Sequence, residues 1–553
     1  MRNQYTRLGV VALSLLMLSS LALAEPLLTI VPADYTYQDP AAALGATLSI
    51  PYQITNNTPA TLTNISASQL ATGITSSTCD TIAPNGGQCT LTLTVAPSVT
   101  SQPGLVRSAF QVCANNPPAG CTRVNSHYEL QIHVTNDQTF LAISDIHLSD
   151  ETPTPITYGQ DTGDILWAST QSELTTLISQ QKPKFMLLLG DLPAHHDMSH
   201  LQANLGAVLT GLSGLPAIST PQLPVFYAPG NNDSLVGNYN IFSNAGINLF
   251  SLDPTHNWPA LNSNPDCSVS PSKACTYTTT SPMPGDHEND MAHAQSDGYY
   301  SAYPLGRSTP LRLIILNSMI FSFEYALSGA DQLAPAQTQM DWLAAQLASA
   351  STNGEAVYIA MHIPPGQDAF NHSDDFWNDT LFLEGGLRFR DAFLALITQY
   401  QSHIRAIFTG HTHLDELRAL YSDHATTQLT VLDVGIPGIT PQHYNNPGMK
   451  TFLYNNTYDL MDAKTFYTTP SGNSWSTYSF QNDYSCPLNS TMLSCLKTVF
   501  LPKLPSWKLA TQPIPGNIYE TDYSVRVSTY NPSFGDFSSW LAILNAIQVA
   551  PIV

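Results

Sequence analysis

Positive charge is scarce in this chain: 19 Lys and Arg stand against 41 Asp and Glu, a formal charge of −22 over 553 residues. A surface of that sign repels nucleic-acid backbones and anionic lipid, which argues against long-range electrostatic capture of either. A compact phosphate ester is not excluded, because the local charge of bound metal overrides the mean field. Long apolar runs are missing beyond the first residues, so no transmembrane anchor is expected in the mature chain; a span needs about 20 apolar residues. The eight cysteines contain no Cys-x-x-Cys pair, the spacing of a zinc knuckle.

The cysteines that are present fall as four close pairs: Cys79 with Cys89, Cys113 with Cys121, Cys267 with Cys275, and Cys486 with Cys495. That pattern suits four local disulfides in an oxidising compartment, although spacing alone leaves the connectivity open. The start of the chain agrees with export. Arg2 and Arg7 precede an apolar stretch over 8–18, and Ala22-Leu23-Ala24 offers small residues for cleavage before Glu25. Residues 1–24 are therefore expected to be a signal peptide, and the mature protein secreted or periplasmic.

From 25 to 137 the chain is rich in Thr, Ser, Asn and Pro, with alternating stretches such as Thr47-Leu48-Ser49-Ile50 and Thr90-Leu91-Thr92-Leu93-Thr94-Val95. Short strands between Asn, Gly and Pro turns predict an all-β, immunoglobulin-like sandwich serving as an accessory or adhesion module. His127 and His133 lie in its last strands as packing or surface residues. At Thr139 the texture changes. Apolar runs at 140–143, 185–189, 225–227, 311–316, 357–360 and 406–408 read as strands, and 165–178, 340–347 and 389–397 repeat apolar residues at helical intervals. This predicts a layered α/β domain over 138–470, with 253–297 as a surface insertion. The remainder, 471–553, reads as an extension packing on that domain. Trp540, Leu541, Leu544 and Ile547 share a helical face there, and its polar side lacks the Lys and Arg of a membrane-surface helix.

Five polar clusters each follow an apolar strand, which gathers them at the carboxyl ends of a sheet. They are Asp145-Ile146-His147, Gly190-Asp191, Gly230-Asn231-Asn232-Asp233, Met361-His362 and Gly410-His411-Thr412-His413. Alternation along the chain sends Asp145 and His147 to one side, and likewise His411 and His413. Carboxylates neutralise a divalent cation and neutral imidazoles complete a mixed nitrogen and oxygen shell. Two ions about 3.5 to 4 Å apart hold a shared hydroxide and clamp the phosphoryl oxygens during in-line displacement. A single Asp-x-His could be a strand-end cap; five such clusters in order are not a coincidence of composition.

The series resembles the calcineurin-like metallophosphoesterase family, whose pattern runs Asp-x-His, Gly-Asp, Gly-Asn-His-Asp or Glu, His, then Gly-His-x-His. Gly190-Asp191-Leu192-Pro193-Ala194-His195, His362-Ile363-Pro364-Pro365-Gly366 and Gly410-His411-Thr412-His413-Leu414-Asp415-Glu416 are similar to its acid sphingomyelinase-like branch. Leu316-Asn317-Ser318, and Asn445-Asn446-Pro447-Gly448 before a strand, are further echoes. The resemblance implies a four-layer α/β/β/α domain and one ion on Asp145, His147 and His413. It implies a second ion on Asn231, His362 and His411, with Asp191 bridging. Zinc is the expected metal, with manganese and iron as alternatives.

One position departs from the pattern. Asn232 stands where the family has a histidine near the leaving group, and an amide can stabilise an oxyanion but cannot give up a proton. His195, intact in the Asp-x-Pro-Ala-His motif, is the expected proton donor. His196 and His200 read as surface neighbours, and His287, His293 and His372 as loop residues. The expected activity is hydrolysis of a phosphodiester or phosphomonoester by a metal-bridging hydroxide. The substrate would be a phospholipid headgroup or a small soluble phosphoester. The alternative is a secreted binding or adhesion protein with a weakened enzyme domain.

Overall fold

The computed structural model of the chain describes residues 26–552 except 34–40, 44–45, 102–103, 115–119, 127, 136, 153–155, 196–198, 216–217, 219–222, 244–274, 277–292, 295, 370–374, 488–489, 511–516 and 527–536. The expected signal peptide, Cys267, His127, His196, His287, His372 and most of the 253–297 insertion lie outside the described residues. Two compact units are formed. One is drawn from within Met1–Tyr35, Ser49–Thr94 and Arg107–Leu130, the other from within Thr36–Leu48, Val95–Val106 and Gln131–Val553.

The first unit is all β. Leu28–Pro32, Leu48–Asn56, Gln88–Val95 and Ile74–Ser76 are neighbours, in that order, in one sheet; Gly120–Arg123, Gln111–Ala114, Leu62–Ser68 and Thr78–Ile82 form another. Leu48, Ile50, Tyr52 and Ile54 are buried while their neighbours are exposed or half-buried, the period of two that a one-sided sheet requires. The Cys79–Cys89 disulfide joins a strand of one sheet to a strand of the other. Cys113 and Cys121 sit directly opposite each other in adjacent strands and are also bonded.

The second unit is mixed α/β. The strands of its two large sheets are β1 (Gln138–Ile143), β2 (Met186–Leu188), β3 (Val225–Tyr227), β4 (Cys275–Thr276), β5 (Tyr300–Tyr303), β6 (Leu311–Ile315), β7 (Ala356–Ala360), β8 (Ile404–Thr409), β9 (Leu417–Tyr421), β10 (Leu429–Gly435), β11 (Gly448–Tyr454), β12 (Leu460–Tyr467), β13 (Ser476–Ser479) and β14 (Gln548–Val549). The strand orders are β3-β2-β1-β11-β12-β13 and β4-β5-β6-β7-β8-β10-β9-β14. Strands β1, β2 and β3 pair in parallel, as do β6, β7 and β8. Their carboxyl ends therefore open on a common edge within each sheet.

Both faces of these strands are buried, which explains why they read as unbroken apolar runs. From β1, Phe140 and Ala142 enter one core with Phe408 and Phe452. Leu141 and Ile143 enter another with Leu174 and Leu177 of α1 (Asp164–Gln181) and Leu205 and Val208 of α2 (Leu201–Ser213). On the second sheet Ile314 and Ile359 meet Trp342 and Leu343 of α3 (Ala330–Asn353) and Phe393 of α4 (Phe389–Gln399). Leu313 and Tyr358 turn to the same core as Phe140. That core also takes in Phe480, Tyr484, Phe500, Trp507, Tyr519 and Trp540, so described parts of the chain after 470 are built into it. Cys486 and Cys495 are disulfide-bonded there, and β14 adds a strand beside β9. Among the described residues, no helix is long and apolar enough to cross a membrane.

Candidate metal centre

Each of the five polar clusters starts where a parallel strand stops, and the side chains meet. Strand alternation is not the cause. Asp145, His147, Asp191, His411 and His413 lie past the strand ends with φ of 50°, 44°, 54°, 74° and 62°, a left-handed conformation that is sparsely populated by non-glycine residues. Such residues persist only when their surroundings over-determine them. Here Asp145 N donates to the Gly190 carbonyl and His147 N to the Asp191 carbonyl, both at 3.0 Å. Thr440 N donates to the Asp145 carbonyl and Gly438 N to that of His413, again at 3.0 Å. The two turns after β2 and β3 touch so closely that a Cβ on Gly190 would lie 2.3 Å from Gly230 N, and one on Gly230 would lie 2.2 Å from Asp191 Oδ1.

Asp191 is the centre of the arrangement. One of its oxygens lies within 4.8 Å of nitrogens of His362 and His411, and one lies within the same reach of Asp145 and His147. Nitrogens of His147, His195 and His413 form a third such group. Asn231 Oδ1 is 3.1 Å from His362 Nε2, and His413 Nε2 is 3.4 Å from Asp145 Oδ1. All seven residues expected to hold cations are thus brought together.

The chemistry of these donors fits divalent cations. His147 donates Nδ1–H to the Pro193 carbonyl at 3.0 Å, leaving Nε2 for the centre, where it is buried without a hydrogen-bond partner. His362 likewise donates Nδ1–H to the Leu189 carbonyl at 2.5 Å and turns Nε2 inward. A backbone carbonyl fixing the far nitrogen is the arrangement that orients metal-binding histidines. His413 Nδ1 is also buried and unpartnered. Burial pulls His147 down to about 3 and holds His411 and His413 well below the usual imidazole range, so three of the rings are neutral donors.

The carboxylates carry the opposite imbalance. Among the described residues, Asp145 and Asp191 form ion pairs with histidines alone. Burial lifts Asp145 to about 7. At Asp191 burial works the same way, but the His362 charge and hydrogen bonds win, and its pKa is lowered. Burial also opposes a proton on His362, yet the two aspartates raise it to about 10. Two buried acids whose ion-pair partners among the described residues are histidines, with no Lys or Arg beside them, leave room for external positive charge.

His195 lies beside this centre, its ring stacked on His147 at 3.6 Å. It is held by Asp161, which accepts from Nδ1 at 2.6 Å and from the backbone N at 3.0 Å. Burial disfavours its charged form, but Asp161 outweighs that and raises its pKa. Asn232 is turned onto Asp191: its backbone N donates to Oδ1 at 2.7 Å and its amide to Oδ2 at 2.8 Å. By contrast His200 pairs with Asp150 on the surface, and His293 with Asp297.

Four contributors were not picked out from the sequence as site residues. Asp233 accepts from the backbone N of Asp191, Leu192 and Gly230 and from the Tyr227 hydroxyl, at 2.6 to 2.9 Å, and so shapes the Asp191 turn. Asp161 holds His195. His443 packs edge-on against His413 at 4.3 Å, and burial lowers it to about 4. Tyr239 brings its hydroxyl within 3.4 Å of His411 Nε2. The Gly-Asn-Asn-Asp motif was the one available signal for Asp233; nothing local marks the other three. Beside His411 a cavity of about 340 Å³ is walled by Tyr239, Phe323 and Phe376 and by the carboxylates of Glu324, Asp368 and Asp379.

Comparison with known proteins agrees with this geometry. The family model described as calcineurin-like phosphoesterase matches residues 138–415. Sphingomyelinase phosphodiesterase C of Dictyostelium discoideum is 28% identical over 309 residues, 53% of this chain and 60% of that protein. The Homo sapiens acid sphingomyelinase-like phosphodiesterase 3b is 26% identical, with 54% and 60% covered. Cyclic GMP-AMP phosphodiesterase SMPDL3A of Mus musculus is 26% identical, with 62% and 69% covered. The match thus spans about 60% of the length of the first two relatives.

Proposed function

We propose, from the premise that the chain belongs to the calcineurin-like phosphoesterase family, that it is an exported hydrolase of phosphoric esters with a dinuclear metal centre. The observation that carries this reading is the position of Asp191, one carboxylate reached by two separate groups of ligand atoms. Asp145, His147 and His413 would hold one ion, Asn231, His362 and His411 the other, and Asp191 both. Zinc is the metal we favour for this nitrogen-rich set. Bound there, the ions supply Lewis acidity and an activated water as nucleophile.

The protein's own groups do the rest. Asp233 shapes the turn that presents Asp191, and Asn232 fixes the orientation of its carboxylate, a positioning role in addition to any contact with substrate. His195, whose pKa Asp161 raises, would protonate the departing oxygen from Nε2. The aromatic and acidic cavity beside His411 favours a diester whose second substituent is uncharged or bears an alkylammonium group, as phosphocholine esters do. The three separate cores support a four-layer α/β/β/α domain over 138–470, preceded by an immunoglobulin-like sandwich and followed by a packed extension. The three disulfides among the described residues support a secreted or periplasmic location.

The test is turnover of p-nitrophenyl phosphate, bis-p-nitrophenyl phosphate and p-nitrophenylphosphorylcholine by the zinc-loaded protein. Hydrolysis is expected, fastest with the choline ester. Asn232, at the position of the family's histidine, is the feature favouring the other reading, a binding protein with a weakened enzyme domain. Two bound ions without hydrolysis of any of the three esters would decide for it.

A further inference from the structure

Val525 is a β-branched residue at φ 55°, fully buried, and Arg526 follows at the same φ. Left-handed backbone at a β-branched position is strained and is kept only where many contacts enforce it. The contacts here lead to the metal centre. The segment begins as the helix Ile518–Tyr523 and turns sharply, with Val525 N on the Asp522 carbonyl at 2.7 Å and Arg526 N on that of Thr521 at 2.6 Å. Arg526 secures the turn by pairing with Asp522 at 3.1 Å and Asp483 at 2.5 Å, its guanidinium 4.3 Å above the Tyr478 ring.

The turn grips two loops that carry the centre. Asp415, two residues after His413, donates its backbone N to the Tyr523 carbonyl at 3.1 Å. The Tyr523 hydroxyl donates to Glu416 at 3.2 Å, and the Tyr478 hydroxyl to Asp415 at 2.7 Å. On the other side Asn446 donates its amide to the Val525 carbonyl at 3.0 Å and accepts from the Tyr158 hydroxyl at 2.6 Å. Asn446 closes the loop whose Gly438 N holds the His413 carbonyl, and Tyr158 lies three residues before Asp161. One strained turn therefore reaches both the His411–His413 loop and the loop that orients His195.

We infer that residues 517–526 are a latch that positions the cation-binding loops, with Tyr523 and Asn446 as positioning residues for His411 and His413. The inference rests on the metal-centre reading above. It places part of the ligand geometry under the control of a segment about a hundred residues beyond the end of the family match at 415.

The experiment is zinc titration of the metal-stripped full-length protein by calorimetry, with thermal unfolding of the same metal-free samples. Tyr523→Phe and Asn446→Ala are each expected to weaken zinc binding by up to the roughly ten- to hundredfold that losing a direct outer partner of a ligand causes. Tyr303→Phe is the control, since it removes a buried tyrosine contact to Glu355 remote from the centre. It is expected to lower the unfolding temperature and leave zinc affinity unchanged. Variants that lose thermal stability as the control does, yet bind zinc like the wild type, would overturn the latch while leaving the metal centre intact. A wild type that takes up no zinc would overturn both.

Discussion

Asp161 and His195 form a hydrogen-bonded pair on which the proposed protonation of the leaving group rests. A carboxylate at 2.6 Å favours the charged imidazole against its burial and raises its pKa, which helps it hold a proton for transfer. Esters with poor leaving groups need that proton and esters with good ones do not. His195→Ala is therefore expected to slow an alkyl phosphodiester at least a hundredfold and a p-nitrophenyl ester less than tenfold. Equal slowing of both, measured as kcat/KM, would remove the proton-donor role. The seven side chains proposed to hold cations were legible as a group because each sits in a short motif after an apolar strand, and the structure brings them together. Asp161 was not, because it acts across 34 residues from within a polar loop and no local pattern marks its target. The left-handed backbone at Asp145, His147, Asp191, His411 and His413 was equally hidden, since sequence carries no sign of φ at Asp or His.

Strand β10 shows how an element carries a charge it cannot solvate. Asp433, fully buried, accepts from Thr409 of β8 at 2.9 Å, and burial lifts its pKa to about 7 despite the nearby Arg418. A carboxyl raised in the folded state binds a proton more tightly there than in the unfolded chain. Its contribution to stability is thus largest at acid pH and falls as pH rises from about 4 through about 7. Asp433→Asn is expected to flatten urea-unfolding stability across that window relative to the wild type. A variant curve parallel to the wild type would contradict the assignment. At this scale the parallel strands were readable, since burial on both faces makes continuous apolar runs. Strands β9, β10 and β12 were not legible because Arg418, Asp433, Asp462 and Thr465 interrupt them, and each is buried with polar partners. Helix α2 had a usable signal, Leu201, Leu205, Val208, Leu209 and Leu212 at helical spacing, which was passed over.

For the molecule as a whole, the extension after 470 is the part least visible in the sequence. Its aromatic residues are scattered among loop-forming ones, and their common destination, the core that also holds Phe140 and Phe408, follows only from the fold. If the proposed centre binds cations, that binding is expected to stabilise the folded chain by mass action. The central claim is that two cations share Asp191. Metal content of the zinc-loaded, gel-filtered protein measures it directly, beside Asp191→Ala prepared in the same way. Two zinc ions per chain, falling to one or none in the variant, is the predicted result. One ion or fewer in the wild type, or two retained without the Asp191 carboxylate, would contradict it.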